Sequence, residues 1–223
     1  MGGTVQLIQM IVLGIQSQSQ WISRFFANYL EFSSRHILIV GPAGVGKSSL
    51  VNMIVGEDVA PVSNSVVPRH ADVKSYPCTL KSADRQFRLY DTQGDFDATL
   101  CKRIQEFMEG CGGPDLVVYC IGPRRLTEEQ RRGLGIIHSI LCQKGVPIIL
   151  VVTGLENQRG AMEDWWQENS TDVIQRTKVN FAAHACVSTL HRSHRSWASD
   201  RKYDDCQMLV RDMLNQFCRA SPR

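Results

Sequence analysis

Eight residues, Gly41-Pro42-Ala43-Gly44-Val45-Gly46-Lys47-Ser48, have the G-x-x-x-x-G-K-[ST] spacing of a phosphate-binding loop. Such a loop works through its backbone. Glycines let successive N–H groups converge on phosphate oxygens, and the N-terminus of the next helix adds positive dipole character. Gly41, Ala43, Gly44, Val45, Gly46, Lys47, Ser48 and Ser49 are the residues that would meet phosphate. The Lys47 ammonium would reach the β- and γ-phosphates, in binding and in catalysis, and the Ser48 hydroxyl would bind Mg²⁺.

A second cluster, Asp91-Thr92-Gln93-Gly94, lies about 45 residues after the loop and ends a strand-like run. A carboxylate there can hold Mg²⁺ through water, and the Gly94 amide can sense a γ-phosphate. The residue after Gly94 is Asp95, an acid where Ras-like enzymes carry a water-orienting Gln. Gln93, on the other side of Gly94, is the remaining candidate for that task.

The third cluster, Thr153-Gly154-Leu155-Glu156, follows the apolar run 148–152, where a G domain carries [NT]-K-x-D. In that motif the acid accepts hydrogen bonds from guanine N1–H and the exocyclic amine, a pair adenine does not offer. Thr153 fits the first position and Glu156 keeps the acceptor pair with one more methylene, whereas Gly154 loses the aliphatic cover over the base. Ser188, closing the last strand, is the positional candidate for the loop whose amide meets guanine O6.

These clusters need strands that end together and helices that start from them. Residues 36–40 read as a strand and 48–55 as a helix. Alternation over 71–80 and the apolar run at 87–90 give two more strands, and helical spacing follows through Leu100, Ile104, Phe107 and Met108. Residues 116–121 and 147–152 are apolar throughout, as buried strands are. Thr127-Glu128-Glu129-Gln130 is a capping-type start for a helix to about residue 144, and further helices are expected over 162–177 and 200–217, with a strand over 182–188 between them. Strands alternating with helices predict an α/β fold, a mostly parallel sheet covered on both faces.

Residues 1–33 stand apart from the domain expected over 34–223. Leu7, Ile8, Met10, Ile11, Val12 and Ile15 fall on one side of a helical wheel, with Trp21, Ile22, Phe25, Phe26, Tyr29 and Leu30 on the same side. One long amphipathic helix is expected. Its polar face holds glutamines and serines with Arg24 almost alone, which favours a protein partner over peripheral contact with an anionic membrane.

The net charge of +3 among 223 residues offers no footprint for nucleic acid, so no nucleic-acid partner is expected. The eight cysteines include no C-x-x-C pair, no secretory leader is evident, and apolar runs such as Met10 to Ile15 are far shorter than a membrane span. An intracellular, cytoplasmic setting is expected.

Taken in order, G-P-A-G-V-G-K-S-S-L-V-N, L-Y-D-T-Q-G, V-V-T-G-L-E and Met162-Glu163-Asp164-Trp165-Trp166 resemble a group of fungal G-domain proteins. That group is allied to the septin-like and immune-associated (Toc-type) GTPases of the TRAFAC class. The resemblance spans roughly residues 36–218. It implies a three-layer Ras-like core, GTP or GDP with Mg²⁺, and a homodimer across the nucleotide face. Trp165 and Trp166 either cover the base in place of the missing Lys or pack in the core, and packing is the expected role.

The departures concern hydrolysis. No Thr occurs from residue 50 to residue 78, where switch I would supply one to the Mg²⁺ shell. His70 falls at the position of the family's Thr and is a poor ligand for a hard cation, while Thr79 would serve only with a shifted strand register. Arg124 or Arg125 could supply an arginine in cis or across a dimer. The alternative to a slow GTPase is a nucleotide-binding interaction module that does not turn GTP over and acts through the N-terminal helix.

Overall fold

The computed structural model describes residues 34–62, 72–80, 85–93, 100, 102–104, 106, 112–142, 145–190 and 197–218. The N-terminal helix expected over 1–33 lies outside these residues, as do His70, Gly94 and Asp95.

Along the chain the elements are β1 (Arg35–Val40), α1 (Lys47–Val55), β2 (Asp72–Leu80), β3 (Arg85–Gln93), β4 (Leu116–Ile121), α2 (Glu128–Cys142), β5 (Ile148–Val152), α3 (Asp164–Thr177), β6 (Ala183–Cys186) and α4 (Trp197–Phe217). Among the described residues, six strands form one sheet in the order β2-β3-β1-β4-β5-β6. β1 pairs in parallel with β3 and β4, and β4, β5 and β6 continue in parallel. Only β2, on one edge, is antiparallel, running back beside β3.

Two apolar clusters show why the sheet is covered twice. Ile37 and Ile39 of β1, Leu89, Val118 and Val151 pack with Leu50, Met53 and Ile54 of α1 and with Val210 and Leu214 of α4. The alternate residues Leu38 and Val40, with Tyr119, Leu150 and Val152, pack with Leu134 and Ile137 of α2 and Trp165 and Val173 of α3. Successive strand side chains point to opposite faces, so strands buried on both must be apolar throughout. Each large side chain buried this way contributes about 1.5–3 kcal/mol.

Local signals set the helix ends. Thr127 and Gln130 form a reciprocal capping box: the Gln130 N–H donates to Thr127 Oγ1 at 3.2 Å, and the Thr127 N–H to Gln130 Oε1 at 3.0 Å. α1 stops at Gly56, whose φ of +90° suits a residue without Cβ and whose N–H reaches Asn52 O at 2.7 Å. α4 caps the same end from across the sequence. Gln207 Nε2 donates to Met53 O at 2.5 Å, and Arg211 donates to Ile54 O at 2.8 Å and Val55 O at 3.1 Å.

The parallel strands thus release their C-terminal ends on one side. β1 leads into the glycine loop, β3 ends at Gln93, β4 leads into Pro123, β5 into Thr153, and β6 into Ser188. In open α/β sheets that edge is where ligands bind.

Candidate nucleotide site

Gly41 leaves β1 with φ +152°, and a Cβ on it would stand 2.3 Å from Cys120 O. The loop's first turn is therefore pressed against the β4 backbone, and only glycine fits. Gly44 (φ +72°) and Gly46 (φ +98°) complete the turn, and Lys47 opens α1. The glycine turn thus feeds directly into a helix N-terminus, an anion-binding arrangement. Lys47 is buried, its ammonium donating to Gly41 O at 2.9 Å and Pro42 O at 2.7 Å. The cation is held at the loop rather than spread into solvent.

Ser48 Oγ donates to Asp91 Oδ2 at 2.7 Å, so the first two sequence clusters meet. Asp91 is fully buried on β3 opposite Ile39 of β1. Burial pushes its carboxyl above the ordinary range, while the Ser48 hydrogen bond and the charges of Lys47 and Lys74 pull the other way. Its second oxygen, Oδ1, is buried with no hydrogen-bond partner. A hydroxyl hydrogen-bonded to a buried carboxylate is an oxygen donor set of the kind a hard cation takes, so Ser48 and Asp91 suit Mg²⁺.

Thr153 does something the sequence reading missed. It is fully buried, and its hydroxyl is hydrogen-bonded to Val45 O of the phosphate loop and lies 3.1 Å from Ile121 O. One proton serves two acceptors, tying the loop to the ends of β4 and β5. The signal was only its strand-end position. Gly154 follows with φ +77°, where an L side chain is strained, and a Cβ there would lie 3.4 Å from Pro123 Cδ and 3.9 Å from Glu156 Oε2. The missing Lys is thus matched to a backbone that favours glycine, and the half-buried Glu156 turns its carboxylate back beside that residue. Ser188 and Thr189 are buried, and Thr189 Oγ1 would be 3.4 Å from a Cβ on Gly46. The β6 exit therefore lies against the phosphate loop.

Other candidates are placed elsewhere. Thr79 pairs with Gln86 and Lys74 with Asp91, which puts Thr79 roughly 16 Å along the strand from the site at about 3.3 Å per residue. It does not replace a switch threonine. Trp165 is buried with its indole N–H donated to Pro123 O at 2.9 Å, and Trp166 stacks on His184 with centroids 4.2 Å apart. Both pack, as expected. Gln93 ends β3 half-buried, opposite Asp72. Arg125 reaches Asp172 at 4.0 Å on the surface, and Arg124 is exposed in the same turn.

Several known structures share this fold. Toc33 from Arabidopsis thaliana in complex with GDP and Mg²⁺ aligns with a TM-score of 0.58 at 19% identity, over 83% of this chain and 83% of that one. Aquifex aeolicus Era bound to GDP·AlF4⁻ aligns with a TM-score of 0.59 at 15% identity, over 85% of this chain and 58% of that one. A structure of the chloroplast translocon components atToc33 and psToc159, for whose GTPase activity dimerisation is described as important, aligns with a TM-score of 0.54 at 19% identity, over 74% and 73%. At these identities the likeness shows the fold. No curated protein matches the chain. The family model of the 50S ribosome-binding GTPase matches residues 36–154, more than half of the sequence and the stretch from β1 to Gly154 that builds the site. On that match, and on a glycine loop, Asp91 and Thr153 brought to one sheet edge, the chain belongs to the 50S ribosome-binding GTPase family and is a P-loop G domain.

Proposed function

We propose that this domain binds guanine nucleotide with Mg²⁺ and hydrolyses GTP to GDP slowly. The observation that carries the reading is the Ser48–Asp91 hydrogen bond at the foot of a glycine loop closed on β4. Loop amides and Lys47 would hold the phosphates, and Ser48 and Asp91 would hold Mg²⁺, which when bound offsets charge on the β- and γ-phosphates. Glu156 would read guanine N1–H and the exocyclic amine, with the Ser188 segment near O6. Thr153 keeps the phosphate loop and the base loop in one frame.

Slow turnover follows from what the sequence lacks: no Thr from residue 50 to 78 and Asp95 after Gly94. An acid at that position opposes the triphosphate's charge. Gln93 would have to orient water from the other side of Gly94. Arg124, exposed in the turn beside Gly154, is the arginine that a second copy facing the nucleotide could use. Arginines used this way contribute about 10³–10⁵ in rate. The same departures support the second reading, a nucleotide-bound module without useful turnover that acts through its N-terminal segment.

Calorimetry with GDP, GTPγS and ATP in Mg²⁺, followed by phosphate release on the same sample, tests this. Guanine nucleotides are expected to bind and ATP not to, with slow release of phosphate. Glu156→Ala is expected to lower GTP affinity about tenfold or more, the loss of a charge-assisted hydrogen-bond pair, and to narrow the preference over ATP. Equal losses for GTP and ATP would remove Glu156 as the base reader.

A further inference from the structure

Two buried oxygens of the β2–β3 pair have no hydrogen-bond partner: Asp91 Oδ1 and the hydroxyl of Tyr76. Their proximity follows from β-sheet geometry. In the antiparallel β2–β3 pair Lys74 lies opposite Asp91 and Tyr76 opposite Leu89. Cross-strand partners, and residues two apart on one strand, share a face. Lys74, Tyr76, Leu89 and Asp91 are therefore on one face, and Tyr76 packs there on the cluster that includes Leu50, Cys78 and Leu89. Tyr76 is the diagonal neighbour of Asp91, a spacing of about 7–8 Å that an aromatic side chain can bridge. The phenol also feels the carboxylate. Burial, and then the charge of Asp91, hold the Tyr76 phenol above its ordinary value, so it keeps its proton as a donor.

A buried phenol with nothing to donate to costs about 1–3 kcal/mol, which phenylalanine would avoid. Donor and acceptor lie on one face of the sheet yet make no direct hydrogen bond. That combination suits a single bridging water. We propose that the Tyr76 hydroxyl donates to a water that in turn donates to Asp91 Oδ1, fixing the carboxylate so that Oδ2 stays turned to Ser48 and the metal. Tyr76 is thus a positioning residue for Mg²⁺, supplied by the edge strand β2 in a chain with no switch I threonine in its expected stretch. The inference rests on the nucleotide and Mg²⁺ reading above.

Its test is the Mg²⁺ dependence of GDP release from the full chain, followed with a fluorescent GDP analogue. Tyr76→Phe removes one oxygen and keeps the ring. The Mg²⁺ concentration that half-maximally slows release is expected to rise about tenfold, the usual cost of losing support behind a metal-holding carboxylate. Release in EDTA is expected to be unchanged, and the melting temperature unchanged or higher. In an Asp91→Asn background Tyr76→Phe should add nothing to the Mg²⁺ midpoint. A midpoint that stays put in Tyr76→Phe, whether or not the melting temperature moves, overturns the relay and leaves nucleotide binding standing. Wild-type protein that binds no guanine nucleotide overturns both.

Discussion

Lys47 and Gly41 sit six positions apart in one loop and fail in opposite ways when changed. Lys47 supplies charge, and its ammonium donates to the loop carbonyls of Gly41 and Pro42. Lys47→Ala is expected to abolish nucleotide binding while leaving the melting temperature within a few degrees of wild type. Gly41 supplies room: its φ of +152° and a Cβ position 2.3 Å from Cys120 O leave no place for a methyl group. Gly41→Ala is expected to cost about 2–4 kcal/mol of stability as backbone strain and overpacking, readable as a lower urea midpoint, besides losing binding. Both residues were legible in the sequence because the motif encodes them as types. Thr153 was legible only as a motif position. Its hydrogen bond to Val45 O joins residues 108 apart, and no local pattern announces that.

Among the elements, the phosphate loop depends on α1 holding still, and the far end of α1 is capped by α4. The last carbonyls of a helix have no partner within it, and Gln207 and Arg211 meet those of Met53, Ile54 and Val55. Arg211→Ala removes two charge-assisted hydrogen bonds from a half-buried position and is expected to destabilise the domain by about 2 kcal/mol. Thermal unfolding checks this, with a drop of a few degrees expected. An unchanged midpoint would mean water replaces the guanidinium at no cost. Periodicity identified α4 as an amphipathic helix, but which helix end it would cap was set by packing. The edge strand shows the same division. Alternation over 71–80 marked β2 as a strand, while its antiparallel register decided that Tyr76 and Lys74, not Thr79, stand near Asp91.

For the whole molecule, burial of cysteine thiols on both faces of the sheet has a consequence at alkaline pH. Cys120, Cys186 and Cys218 are each pushed from 9.0 up to about 12, chiefly by desolvation. The unfolded chain loses these protons first, so the stability they contribute is complete below about pH 9 and is lost as pH rises towards about 12. Urea midpoints measured from pH 8 upward are expected to fall steadily, and replacing Cys120 with Ala should flatten the slope even as it lowers the starting value. A slope unchanged by that substitution would assign the alkaline loss to other groups. The same burial is expected to keep these three thiols unreactive to alkylation at pH 8 until the domain unfolds.

Residue types and spacing by themselves determined the phosphate loop, the Asp91 strand end, the order of strands and helices, and the doubly covered sheet, because each is written in a local motif or a short hydrophobic period. Only the tertiary structure decided what those parts do to one another. It pressed Gly41 on Cys120, matched Gly154 to a left-handed backbone beside Pro123, stacked Trp166 on His184, and set Tyr76 diagonal to Asp91. These contacts join residues far apart in sequence, and they depend on sheet register and on which side chains compete for the same buried space. No single segment carries that information.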